Sequence, residues 1–205
     1  MQSNAMEINQ AEEHLHTIRT LMERSAVYRR ALAPIMLLAG VVGIVSAGIG
    51  LSLHLETDRE FTALWLATAA LAVAGAFLVA RRQALKDNEP FWSPPTKRVA
   101  QAIAPPLTAG MVSGLFFLLN DTVNAFTVLI PVWTILYGCA LHAAGFFMPR
   151  GIRLLGWIYV ILGCSMSIVI SAHVDPSFVM GFVFGLIHFV YGIYLYVTER
   201  GKNVA

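Results

Sequence analysis

Residues 29–53 read RRALAPIMLLAGVVGIVSAGIGLSL, two arginines followed by an apolar run that no charged side chain interrupts. A helix rises about 1.5 Å per residue, so a run of this length spans the roughly 30 Å of a bilayer's hydrocarbon. Within 32–53 the run shows no alternation of polar and apolar positions, which favours a helix over a barrel strand. In lipid every backbone group must bond inside its own helix or inside a closed barrel.

The same pattern recurs along the chain. Runs at 61–80, 99–119, 123–148, 154–172 and 177–197 complete a set of six predicted spans. Hydrophobic residues make up 57% of the 205 and charged residues only 13%. Soluble domains carry about twice that share of charge, so a water-soluble globule is disfavoured. The expected architecture is an all-α polytopic membrane helix bundle of three hairpins, with an N-terminal cytoplasmic amphipathic helix. The division is 1–5 as a cloning remnant, 6–31 as the amphipathic helix, 32–198 as the six-helix transmembrane domain and 199–205 as a tail.

Charge placement orients the spans. Thirteen of the 14 Lys and Arg residues precede span one, lie between spans two and three or four and five, or follow span six. Arg59 alone lies on the other side. The positive-inside rule then puts both termini in the cytoplasm. The opposite loops are short and carry Glu56, Asp58, Glu60, Asp121 and Asp175. A net charge of +2 gives no reason to expect nucleic acid as a partner.

Two segments lie on the basic side. In 8–30, Leu15, Ile18, Met22 and Ala26 recur at helical spacing, with Glu12, Arg19 and Glu23 on other faces. Such a helix fits the headgroup layer, a second copy of itself or a soluble partner. The 81–98 loop holds Pro90, Pro94 and Pro95, which preclude a continuous helix, and Phe91 and Trp92, which fit interfacial anchoring.

Polar groups inside a membrane are expensive, so each one is a functional candidate. No Asp, Glu, Lys or Arg lies mid-span, which counts against a carboxylate relay or a voltage sensor. His142 and His188 remain. Gly181, Gly185, His188 and Gly192 follow one helical stripe, and Thr134, Gly138, His142 and Gly145 repeat its offsets. Glycine stripes admit a neighbouring helix, so both imidazoles are expected to face the bundle. The candidate ligand-binding set is His142, His188, Tyr137, Thr134 and Tyr191. Hydrogen bonding of the histidines to Tyr137, Tyr159, Ser165 or Tyr191 is the plain structural alternative. Gly110 and Gly114, with Gly181 and Gly185, form GxxxG pairs that read as helix crossings inside the bundle or at a dimer face.

Pro105, Pro106 and Pro131 each remove a helical donor and are expected to kink their spans or open a cavity. Ala33-Pro34 with Ala39-Gly40 is echoed by Ala104-Pro105 with Ala109-Gly110, which fits either a repeated hairpin or shared packing composition. Cys139 and Cys164 lack metal-ligand spacing and read as buried free thiols. No catalytic motif is present, no catalytic residue is assigned and no cofactor is expected. A metal or b-type haem held by His142 and His188 is the competing reading, and the identity of any metal stays open.

The stretches 22–25 (MERS), 89–95 (EPFWSPP) and 136–145 (LYGCALHAAG) resemble those of uncharacterised bacterial six-helix membrane proteins. The resemblance implies a bacterial inner-membrane location and assigns no activity. Three functional readings stay open. The protein binds or passes a small neutral or apolar ligand, or senses the membrane; it is an intramembrane enzyme or redox protein using the two histidines; or it is a regulatory subunit docking a partner through 8–30 and the Trp92 loop. Expected partners are membrane lipids, with a homo-oligomer and a cytoplasmic protein as further candidates.

Overall fold

The structure, a computed structural model, describes residues 31–55, 57–88, 90–120, 125–169 and 174–202. The expected amphipathic helix lies outside the described residues. Among those described there are helices and turns and no strand. Helix α1 covers Ala31–Leu53. It is followed by α2 (Asp58–Lys86), α3 (Pro94–Leu119), α4 (Ala125–Ala144) and α5 (Arg150–Val169). The last span is composite: α6 (Pro176–Met180), a π turn (Gly181–Leu186) and α7 (Ile187–Lys202). Five of these spans are long and apolar enough to cross a membrane. Helix α5 is 20 residues long but opens on Arg150 and Arg153, and is not among the five.

Local chemistry sets the ends. Residue His54, just past α1, takes a left-handed φ of 47°, a conformation common just past helix C-termini. Thr57 and Glu60 form a reciprocal capping box at the start of α2, with Glu60 N donating to Thr57 Oγ1 at 3.2 Å. Helix α2 runs past the expected end at Ala80 to Lys86, through Arg81 and Arg82. Arginine is a good helix former, and the first breaker is Asn88 at φ 52°. Pro94 and Pro95 open α3, where a proline's missing donor costs nothing. Helices α3 and α4 both continue through Pro105, Pro106 and Pro131. Asp175 caps α6 by accepting from Ser177 N at 2.7 Å.

Two antiparallel pairs make the tightest packing. In α1 and the last span, Leu37 meets Gly192, Gly40 meets Phe189, Gly43 meets Gly185, Ala47 meets Gly181 and Gly50 meets Ser177. A methyl group built on Gly40 would lie 2.5 Å from Phe189 N. In α4 and α5, Gly138 meets Val160, Gly156 meets His142 and Gly145 meets Arg153. A methyl on Gly156 would lie 2.5 Å from His142 N. Here backbone touches backbone, and only glycine leaves the room.

Side chains of α1, α4, α5 and the last span fill one core around Met36, Leu141, Ile152, Tyr159 and Val183. A second core joins α1, α2, α4 and α6 through Ala47, Phe61, Trp65, Ile130 and Met180. The α2–α3 hairpin is peripheral. Of the apolar stretch of each helix, 39% is buried in α1 and in α4, against 11% in α2 and 6% in α3. Leu71, Phe77, Met111 and Phe116 point outward. In water such a surface would aggregate, whereas in lipid it is matched. Thr68 Oγ1 ties α2 to α1 by donating to Ser46 Oγ at 2.8 Å, and Trp133 Nε1 ties α4 to α3 through the Gly110 carbonyl at 2.8 Å.

Cys139 and Cys164, expected in the core, are free and exposed. Cys139 sits next to Gly138, which turns its side toward α5. An apolar neighbour one position along the helix then faces outward, and lipid suits it as well as a core does.

Glycine-to-alanine substitutions at the crossings should separate sharply from those outside them. Gly40→Ala and Gly156→Ala are expected to lower stability in detergent by about 1–3 kcal/mol through overpacking. Gly48 has open space around its missing Cβ, and Gly48→Ala should leave thermal unfolding unchanged or raise it slightly. Equal effects at all three positions would contradict the packing described.

Candidate functional site: a buried histidine between two tyrosines

His188 is 2% exposed. Its position follows from the two tight helix pairs. The last span is held on α1 by Gly185 in the π turn and Gly192 in α7, and its other side meets α4 and α5. Tyr137 on α4 and Tyr159 on α5 reach it there. Tyr137 Oη lies 2.6 Å from His188 Nε2, and Tyr159 Oη lies 2.8 Å from His188 Nδ1. Tyr159 is fully buried and also donates to the Val183 carbonyl at 2.7 Å. Phe184 closes the cluster, 5.5 Å from Tyr137 and 6.0 Å from Tyr159 between ring centres.

The partners fix the proton positions. A carbonyl can only accept, so the single Tyr159 hydroxyl proton goes to Val183. The Tyr159 oxygen must then accept from His188 Nδ1–H. A neutral imidazole protonated at Nδ1 has a bare Nε2, which accepts from Tyr137. The relay runs one way, from Tyr137 to His188 to Tyr159 to the Val183 carbonyl. It ends on a group with no proton to pass, so it is a poor proton conductor. Both ring nitrogens are occupied, so a metal or haem would have to displace a hydroxyl.

The carbonyl at the end of the relay lies in the π turn. There the Ile187 N–H bonds back five residues to Phe182. Such wide turns are rare and often mark functional sites. Here the Tyr159 hydroxyl bonds directly into the widened turn.

The other sequence candidates are scattered. His142 is half-buried, and its ring neighbours are Phe146 at 5.4 Å and Trp157 at 5.2 Å. It shares no ring neighbour with His188, and its Nδ1 is buried without a hydrogen-bond partner. Thr134 is fully buried and donates to the Ile130 carbonyl of its own helix at 2.6 Å. Tyr191 stacks on Tyr194 and sets its hydroxyl against Gly151. Ser165 donates to the Ile161 carbonyl of its own helix. Gly110 makes ordinary contact with Trp133, and Gly114 packs on Leu66 and Trp133 side chains. Gly138 and Gly145 serve α4–α5, while Gly181, Gly185 and Gly192 serve the last span against α1. His188 thus faces away from the glycine stripe that sequence spacing gave it. The π turn inside that stripe alters the helical phase.

Sequence reasoning missed several features. Gly40, Gly43, Ala47 and Gly50 form a small-residue stripe on α1, and Gly156 with Gly163 forms one on α5. Their three-, four- and seven-residue spacings were visible signals. The π turn, Phe184 and the unpartnered indole N–H of buried Trp65 had none. Among the described residues no three His, Cys, Asp or Glu come close enough to hold a metal.

No family model matches the chain, and no curated protein or solved structure shows significant similarity to it.

Removing Tyr159 Oη takes one hydrogen-bond partner each from His188 Nδ1–H and the Val183 carbonyl. Tyr159→Phe should therefore cost about 1–2 kcal/mol, and Tyr137→Phe, which breaks one link, about 0.5–1 kcal/mol. Denaturant unfolding in micelles measures both. A larger loss for Tyr137→Phe would contradict the directional relay.

Proposed function

We propose that this chain is a multi-pass protein of a bacterial inner membrane that binds a small neutral molecule at the Tyr137 end of the relay and performs no reaction on it. In this reading it crosses six times, α5 being the fifth crossing, and both termini are cytoplasmic. The confinement of 13 of 14 basic residues to alternate connections supports that threading. An amphipathic helix over 6–31 would rest among the headgroups, and membrane lipids are its first partners.

The observation that carries the binding reading is the relay's one open end. Tyr137 donates its proton to His188, and its oxygen keeps unused acceptor capacity. Donating strengthens that oxygen as an acceptor, since chained hydrogen bonds polarise one another. Tyr159 and Phe184 flank it with ring surfaces. A flat, mainly apolar molecule with one donor matches these groups, and the absence of mid-span charge suits a neutral one. The haem and metal reading is weaker, because His188 has no free nitrogen and His142 lies among other side chains.

Indole and N-methylindole test this directly, since they differ by one N–H. Indole should bind the purified chain in micelles about fivefold more tightly, the worth of roughly one hydrogen bond. Tyr137→Phe should erase the difference. Equal affinity of the two probes for the unmodified chain would overturn the reading.

A further inference from the structure

We infer a second site, for the phosphate of an anionic phospholipid, on the outer face of the α4–α5 hairpin. It rests on the membrane-spanning reading above but not on the Tyr137 site. Four side chains build it: His142 at the end of α4 with Phe146 in the turn that follows, and Arg153 with Trp157 one helical turn apart on α5. The Gly145–Arg153 and Gly156–His142 backbone contacts hold the two pairs side by side. The Arg153 guanidinium lies over the Phe146 ring, 5.5 Å from its centre. The His142 ring lies 5.4 Å from Phe146 and 5.2 Å from Trp157 between centres, steeply inclined to both. Phe146 and Trp157 are 64% and 52% exposed, so the cluster opens to the surroundings.

Charge decides the occupant. Residues 125–169 include Arg150 and Arg153 and not one acidic residue. The guanidinium fork matches phosphate oxygens in pairs. Trp157 sits one turn, about 5–6 Å, deeper than Arg153, at the depth of a lipid's glycerol and upper acyl chain. A zwitterionic lipid brings its own cation and leaves the arginines uncompensated, whereas an anionic lipid neutralises one of them.

Trp157 is a built-in reporter. The full chain is reconstituted with phosphatidylglycerol or phosphatidylcholine carrying brominated tails, and the quenching lost in Trp157→Phe isolates its signal from Trp65, Trp92 and Trp133. Brominated phosphatidylglycerol should quench that component at about fivefold lower mole fraction than phosphatidylcholine. Arg153→Gln, checked for retained helicity, should bring the two curves together. High salt should do the same in the unmodified chain, with no substitution needed. Equal quenching by both lipids, or a preference that survives both Arg153→Gln and high salt, overturns the site. If neither lipid quenches any tryptophan, the membrane-spanning reading itself fails.

Discussion

Close approach of helix backbones is the constraint from which the rest of this structure follows. Lipid gives no hydrophobic reward for bringing apolar helices together, so association rests on dispersion contacts and a few polar links. Those contacts are densest where a glycine lets one backbone reach another. Gly43 with Gly185, and Gly138 with Gly156, are the two reciprocal instances. They fix α1 on the last span and α4 on α5. With those four elements held, the positions of Tyr137, Tyr159 and His188 are no longer free.

The relay then adds what glycine cannot. Glycine crossings tolerate sliding, because a smooth surface has many registers. A hydrogen-bonded chain from α4 through α7 to α5 and on to one named carbonyl allows a single register. It also occupies every polar atom of His188, whose unpaired burial would cost several kcal/mol in an apolar interior. Much of the polar chemistry at the centre of the bundle is thus spent on specifying the fold. Within the relay, the Tyr137 oxygen is the atom with capacity to spare, which places recognition on the face it presents.

The sequence made the gross fold legible, for a physical reason: bilayer thickness imposes a length that shows as uninterrupted apolar runs. Helix identity and approximate bounds for α1, α3 and the last span could be read from it directly. The far end of α2 could not, because arginine continues a helix almost as readily as alanine while looking like a loop. Facing was the main casualty. In a soluble protein an apolar residue marks the core, but here Cys139 and Cys164 are as content toward lipid as inside. His142 and His188 share a sequence pattern yet differ in burial and neighbours, since the π turn changes the phase of one stripe and nothing local announces a π turn. The small-residue stripe of α1 is visible in the letters as Gly40, Gly43, Ala47 and Gly50. The pairing of α1 with the last span is non-local, and spacing within one segment cannot name the partner.

In a one-way relay His188 is a neutral imidazole with both ring nitrogens bonded. Nitrogen-15 NMR of the chain labelled at histidine, in micelles, reads the protonation of each ring nitrogen. One imidazole, lost in His188→Gln, should carry its proton on Nδ1 and stay neutral. A His188 signal with the proton on Nε2, or one averaging between the two tautomers as in free solution, would contradict it.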